Sequence, residues 1–218
     1  MIGNQTILGL DTSTDNCSVG LIKDGIVAAA RSEIAKSAHS EKLIMFIREV
    51  LADTNTEIAD LTAIGVNIGP GSFTGLRIGL STAKGLAYPI GIPIIPVKSL
   101  PVLIQANDRE ENLIYFIKSH KDMVFYSLFT DHTADLPAVE IVYENIDEIV
   151  NQHPAGELIG NFDFVNNFGE NNKVLFPTGQ AVAEVVHNYY QELGKSIGQK
   201  IEPYYLTSFQ AQKWVRNK

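Results

Sequence analysis

Apolar residues at the start of the chain fall in short runs: Ile7–Leu10, Cys17–Lys23 and Ile26–Arg31. Runs of this length, bounded by polar residues, predict strands, and Asp24-Gly25 between the last two predicts a two-residue hairpin turn. The chain therefore opens as a three-stranded meander. Next comes a stretch with helical spacing, capped by Ser37 or Ser40 and running to about Asp53, with Glu41 in the first turn where the helix dipole favours a negative charge. Leu61–Ile68 predicts a buried strand, and a glycine-rich turn leads it into a helix from about Ser72 to Tyr88. Pro89, Gly91 and Pro93 end that helix, and Ile92–Val97 predicts one more strand.

The second half repeats the theme from about Pro101. Leu113–Lys118, Met123–Thr130, Val139–Tyr143, Glu157–Ile159 and Val174–Phe176 predict strands. Gly179–Leu193 predicts a helix with Val182, Val185, Val186 and Tyr189 on one side. The expected organisation is an α/β protein of two βββαβα subdomains, residues 1–100 and 101–218, as in the duplicated folds of the actin and sugar-kinase group related to RNase H.

Composition narrows the partners. Acidic residues outnumber basic ones 25 to 17, for a net charge of -8, so the average field repels a phosphate backbone. With Cys17 the single cysteine, neither an internal disulfide nor a cysteine-based zinc site can form, and a cytoplasmic location is expected. No basic leader and no apolar run of about 18 residues points to secretion or a membrane.

The stretch NIGPGSFTGLRIGLSTAKGL, Asn67–Leu86, holds the main candidate chemistry. A phosphate-cradling loop needs GxxxxGK[ST], but Thr74 stands where the second glycine should be, and Lys84 lies far along the helix. On a helical projection Leu76, Leu80, Ala83 and Ala87 form an apolar stripe. Gly75, Gly79, Thr82 and Leu86 form a second stripe of low bulk, and Arg77, Ser81, Lys84 and Tyr88 the polar third. A glycine inside a helix costs about 1 kcal/mol relative to alanine, so close backbone contact is expected to offset it, against either the chain's own sheet or a partner. The preceding helix carries five successive apolar residues, Leu43–Ile47, more than one buried face can use. Met45 then lies among charged residues and Phe46 at the border, which marks a contact surface.

ILGLDTSTDNCSVGLI (Ile7–Ile22), AHSEKL (Ala38–Leu43) and GVNIGPGSFTGLRIGLSTAKGLAYPIGIPIIPVKSL (Gly65–Leu100) together resemble the bacterial TsaB family, also called YeaZ. The resemblance covers the N-terminal half; in the second half Lys118-Ser119-His120-Lys121 departs from the family pattern. It implies an actin-like (ASKHA) fold and a non-catalytic paralogue of the TsaD enzyme. In that pathway TsaD, with TsaB and the ATPase TsaE, transfers threonylcarbamoyl to adenosine-37 of tRNA. Expected partners are then a TsaD-like paralogue in a heterodimer, a TsaE-like ATPase in a larger complex, a second copy when the chain is alone, and tRNA only through the complex.

The expected partner face comprises Met45, Phe46, Gly75, Leu76, Arg77, Gly79, Thr82, Ala83 and Leu86. Asp11, Thr12, Ser13 and Thr14 stand where actin-like ATPases place their first phosphate hairpin, so a vestigial site with weak ATP or ADP binding is the cofactor expectation. The alternative reading is a stand-alone small actin-like ATPase or kinase. Metal and protease chemistry lack signatures, since neither HxxxH nor HExxH occurs among the five histidines.

Overall fold

The computed structural model describes residues 5–34, 38–108, 113–130, 136–154, 156–161, 172–193 and 200–205. Among the described residues ten strands form two sheets. In the first, β1 (Thr6–Asp11), β2 (Asn16–Lys23), β3 (Ile26–Ile34), β4 (Ala63–Gly69) and β5 (Ile94–Lys98) lie in the order β3-β2-β1-β4-β5. The meander pairs antiparallel, and β1, β4 and β5 run parallel. Asp24 and Gly25 both take positive φ, 51° and 81°, as a primed two-residue turn requires. The turn is tied back to the sheet, because the Gln5 amide donates to the Asp24 carboxylate at 2.8 Å.

The second sheet comprises β6 (Leu113–Lys118), β7 (Met123–Phe129), β8 (Val142–Asn145), β9 (Glu157–Gly160) and β10 (Lys173–Val174). Read as β8-β7-β6-β9-β10, it has the order and strand directions of the first sheet, so the architecture is duplicated. The described residues also form six α-helices: α1 (His39–Asp53), α2 (Phe73–Ile90), α3 (Ser99–Ala106), α4 (Ile146–Gln152), α5 (Gly179–Asn188) and α6 (Tyr190–Leu193).

Side-chain alternation along each strand sorts the core into layers. Leu8 and Leu10 of β1 pack outward under α1 and α2, with Leu43, Ile47, Leu80 and Ala83. Ile7 points the other way, into the central core with α3, α5 and the inner face of the second sheet, where Tyr115 and Phe129 are fully buried. Phe116 and Ile114 face the far side, under Ile146 and Ile149 of α4. The order is therefore α1 and α2, first sheet, α3 and α5, second sheet, α4. Helix α5, from the second half of the chain, lies directly on β1 and β2; a methyl group on Gly9 or Gly20 would overlap its backbone.

Several expected boundaries shift. Helix α1 begins after Ala38 without a side-chain cap, so Ser40 lies in its first turn, and Ser37 is outside the described residues. Helices α3 and α4 are additional to the sequence reading, and residue 100 falls inside α3. The expected helix Gly179–Leu193 divides at Tyr189 into α5 and α6.

Candidate functional site

The β1–β2 hairpin carries a buried polar cluster at the carboxyl ends of parallel strands, where open α/β sheets usually place ligands. Asp11 closes β1. The Ser13 amide donates to its carboxylate at 3.1 Å and the Ser13 hydroxyl at 3.0 Å. Asn67, two residues before the end of β4, donates its amide to the same carboxylate and to Ser13 Oγ at 3.1 Å. The Asn67 carbonyl in turn accepts from the Gly69 amide at 2.9 Å and from Ser99 Oγ, at the start of α3, at 2.8 Å. His39 Nε2 lies 2.8 Å from the Thr14 carbonyl, an acceptor only, so that nitrogen carries the proton.

This cluster does not fit a metal-bound phosphate. Burial pushes the Asp11 carboxyl up from 3.8 to about 6, against the opposing pull of the Asn67 and Ser13 hydrogen bonds. Its oxygens already meet N–H and O–H donors, whose hydrogens would oppose a cation. The Ser13 amide is turned into Asp11, and the Thr12 hydroxyl donates to the Gly75 carbonyl at 2.7 Å. The groups expected to face phosphate at Asp11, Thr12 and Ser13 are thus bonded within the chain, and Thr14 Oγ1 accepts from the Asn16 amide at 3.2 Å. Cys17 beside them is fully buried, and burial first, then the charge of Asp11, pushes its thiol up to about 12, so it is a core residue. Among the described residues no group of three or more His, Cys, Asp and Glu converges on a metal position.

The same hairpin explains the glycines of α2. A methyl group on Gly71 would overlap the Ser13 carbonyl, one on Gly75 the Thr12 carbonyl, and one on Gly79 would stand 2.5 Å from Thr12 Oγ1. The Ser72 amide closes the contact on the Ser13 carbonyl at 2.7 Å. This corrects the expected partner face: Gly75 and Gly79 serve close packing of the helix on the chain's own hairpin. Phe46, Leu76 and Ala83 are also withdrawn from it, because each is buried in the core under α1 and α2. Met45 and Arg77 remain exposed, and Thr82 and Leu86 are half-buried.

The outward face of α2 is a different stripe, Phe73, Arg77, Ser81, Gly85 and Tyr88, spaced by three and four residues. Gly85 is the small residue that opens to solvent, with nothing within 4 Å of where its side chain would begin. Beside α2 on the same side of the sheet, α1 exposes Ile44 at 47% and Met45 at 40%, while Tyr88 is 72% exposed. Sequence reasoning missed Ile44 and Phe73, although the five-residue apolar run already required two of its members to lie outside the core.

Along the Arg77 and Lys84 flank of α2 runs the segment Ile201–Tyr205, unanticipated from sequence. The Tyr204 amide donates to the Ile68 carbonyl at 2.7 Å, and Lys84 Nζ to the Ile201 carbonyl at 3.0 Å. The Tyr205 ring stacks on Phe73 with centroids 5.2 Å apart.

Comparison with known proteins places this arrangement. Residues 27–201 match the family model of TsaD, tRNA N6-adenosine threonylcarbamoyltransferase. The chain is similar to the tRNA threonylcarbamoyladenosine biosynthesis protein TsaB of Haemophilus influenzae, 35% identical over 127 residues, 57% of this chain and 53% of that protein. It is also similar to the TsaB of Buchnera aphidicola subsp. Acyrthosiphon pisum, 30% identical over 158 residues, 67% of this chain and 71% of that one. The chain thus spans about half the length of the first relative and more of the second. The solved structure of YeaZ from Pseudomonas aeruginosa superposes with a TM-score of 0.72 at 22% identity, covering 93% of this chain and 100% of that one, which establishes the shared fold. The duplicated sheets form an actin-like α/β fold, and the chain belongs to the TsaB (YeaZ) family.

Proposed function

We propose that the protein is a non-catalytic accessory subunit in the formation of threonylcarbamoyladenosine on tRNA, docking on a TsaD-like paralogue through the outward face of α1 and α2. The carrying observation is that face itself: Ile44, Met45, Phe73 and Tyr88 stand exposed on two adjacent helices, while the polar hairpin beneath is closed by its own hydrogen bonds. Apolar and aromatic side chains grouped this way on a surface mark protein contact. The match to the TsaD model over both halves supports a paralogous partner, whose related helices offer a similar face. By the same logic the isolated chain pairs with a second copy through an isologous contact.

The test is reconstitution with the TsaD-like and TsaE-like proteins of the same genome, tRNA and threonylcarbamoyl adenylate. Modified tRNA is expected only when this chain is added, and none from this chain alone with substrate. Undiminished modification without it contradicts the proposal.

A further inference from the structure

Arg77 is set in a frame that leaves its charge unanswered. Its guanidinium lies over the Phe73 ring with Cζ 3.8 Å from the centroid, and its Nε donates to the Tyr205 hydroxyl at 3.3 Å. Phe73 and Tyr205 themselves stack, so three planar groups hold one another on the exposed flank of α2. No carboxylate among the described residues pairs with Arg77. The other nearby cations are answered differently: Lys84 donates to the Ile201 carbonyl, Lys200 pairs with Glu202, and Lys98 lies over the Tyr204 ring at 5.2 Å.

The charge pattern around it is unusual for this chain. From Leu61 to Asn107 the sequence has no Asp or Glu and three cations, Arg77, Lys84 and Lys98, in a protein of net charge -8. The outward stripe of α2, Phe73, Arg77, Ser81, Gly85 and Tyr88, therefore carries a single charge, positive, on an acidic molecule. A guanidinium fixed by an aromatic stack has little conformational freedom left to lose, and its free edge is a planar fork that matches a carboxylate.

We infer that Arg77, framed by Phe73 and Tyr205, is the polar anchor of the docking surface and takes an Asp or Glu carboxylate from the protein partner. This rests on the docking reading above. A phosphate from nucleic acid would suit the fork equally, but a backbone-tracking surface needs several unpaired cations, whereas Arg77 stands on a helix face that otherwise exposes Phe73 and Tyr88.

The experiment measures affinity for the TsaD-like protein of the same genome by calorimetry at about 50 and about 300 mM salt, with wild type, Arg77→Ala and Arg77→Lys, each checked for an unchanged melting curve. Arg77→Ala is expected to weaken binding about tenfold or more, with Arg77→Lys recovering only part, and the salt dependence of the wild type is expected to flatten in Arg77→Ala. Arg77→Ala binding within about twofold of wild type overturns the anchor and leaves docking intact. If wild type does not bind at all, docking and anchor fall together. If isolated wild type binds tRNA, Arg77→Ala loses that binding and partner affinity is unchanged, the carboxylate assignment is overturned in favour of phosphate.

Discussion

Asp11 shows how burial sets the chemistry of one residue. Its carboxyl is fully enclosed and its proton is held more tightly in the folded chain, at about 6, than at the ordinary 3.8. Below pH 3.8 both states are protonated and the group contributes no difference. Between 3.8 and about 6 the unfolded chain ionises while the folded one does not, so stability falls as pH rises. Above about 6 the penalty is complete, about 3 kcal/mol. Urea unfolding across pH should therefore show wild type losing about 3 kcal/mol relative to Asp11→Asn between pH 4 and 6, with a flat difference outside that window. A difference flat throughout means the carboxyl is not enclosed. The glycines of α2 give a second contrast. Gly75→Ala forces a methyl group onto the Thr12 carbonyl and should destabilise by about 3 kcal/mol or more, whereas Gly85→Ala, open to solvent, should stabilise by up to about 1 kcal/mol. Equal effects in thermal unfolding would contradict the packing described. Helical periodicity in the sequence grouped Gly75 with Gly79 correctly. It could not say that the hairpin from Asp11 to Thr14 covers them, because an angle on a helix does not name its neighbour.

At the scale of elements, α1 and α2 divide their surfaces between core and exterior. Leu43, Phe46 and Ile47 face the sheet, while Ile44 and Met45 look out. Replacing both Ile44 and Met45 with lysine should alter stability by only about 0.5 kcal/mol, since neither fills the core, yet weaken partner binding about tenfold. A double variant that binds as wild type removes α1 from the interface. The strands of the first sheet were legible because their apolar runs are bounded by turn residues, Asp24-Gly25 above all. Helices α3 and α4 were not. Ser99–Ala106 carries Pro101 inside its first turn and is apolar nearly throughout, so it shows no amphipathic period. The Ile201–Tyr205 segment gave no sequence signal either, since its backbone bonds to Ile68 and Lys84 come from tertiary contact alone.

For the whole molecule, the central core joins both halves of the chain. Val182, Val185 and Val186 of α5 pack with Ile7, Ile22 and Ala63 of the first sheet and with Tyr115 of the second. Gly179 adds a backbone bond to Ser18 Oγ at 3.0 Å. Residues 5–108 alone would leave the Gly9 and Gly20 surface uncovered, so that fragment should show no cooperative melt, while the full chain should unfold in one transition by calorimetry. A fragment melting like the parent would show two independent units. The duplicated architecture was readable from the order of elements, yet the exchange of α5 onto the first sheet was not, because nothing local in Gly179–Asn188 specifies which sheet it covers.

The central claim is that α1 and α2 present their outward face to a TsaD-like partner above a hairpin sealed within the chain. Hydrogen exchange of the chain, diluted until it no longer pairs with itself, with and without that partner tests it most directly. The account predicts slower exchange on binding in peptides spanning Ile44–Met45 and Phe73–Tyr88, with the β3 and β8 edges unchanged. Slowing confined to the β3 edge or to the second sheet, with α1 and α2 unaffected, would contradict it.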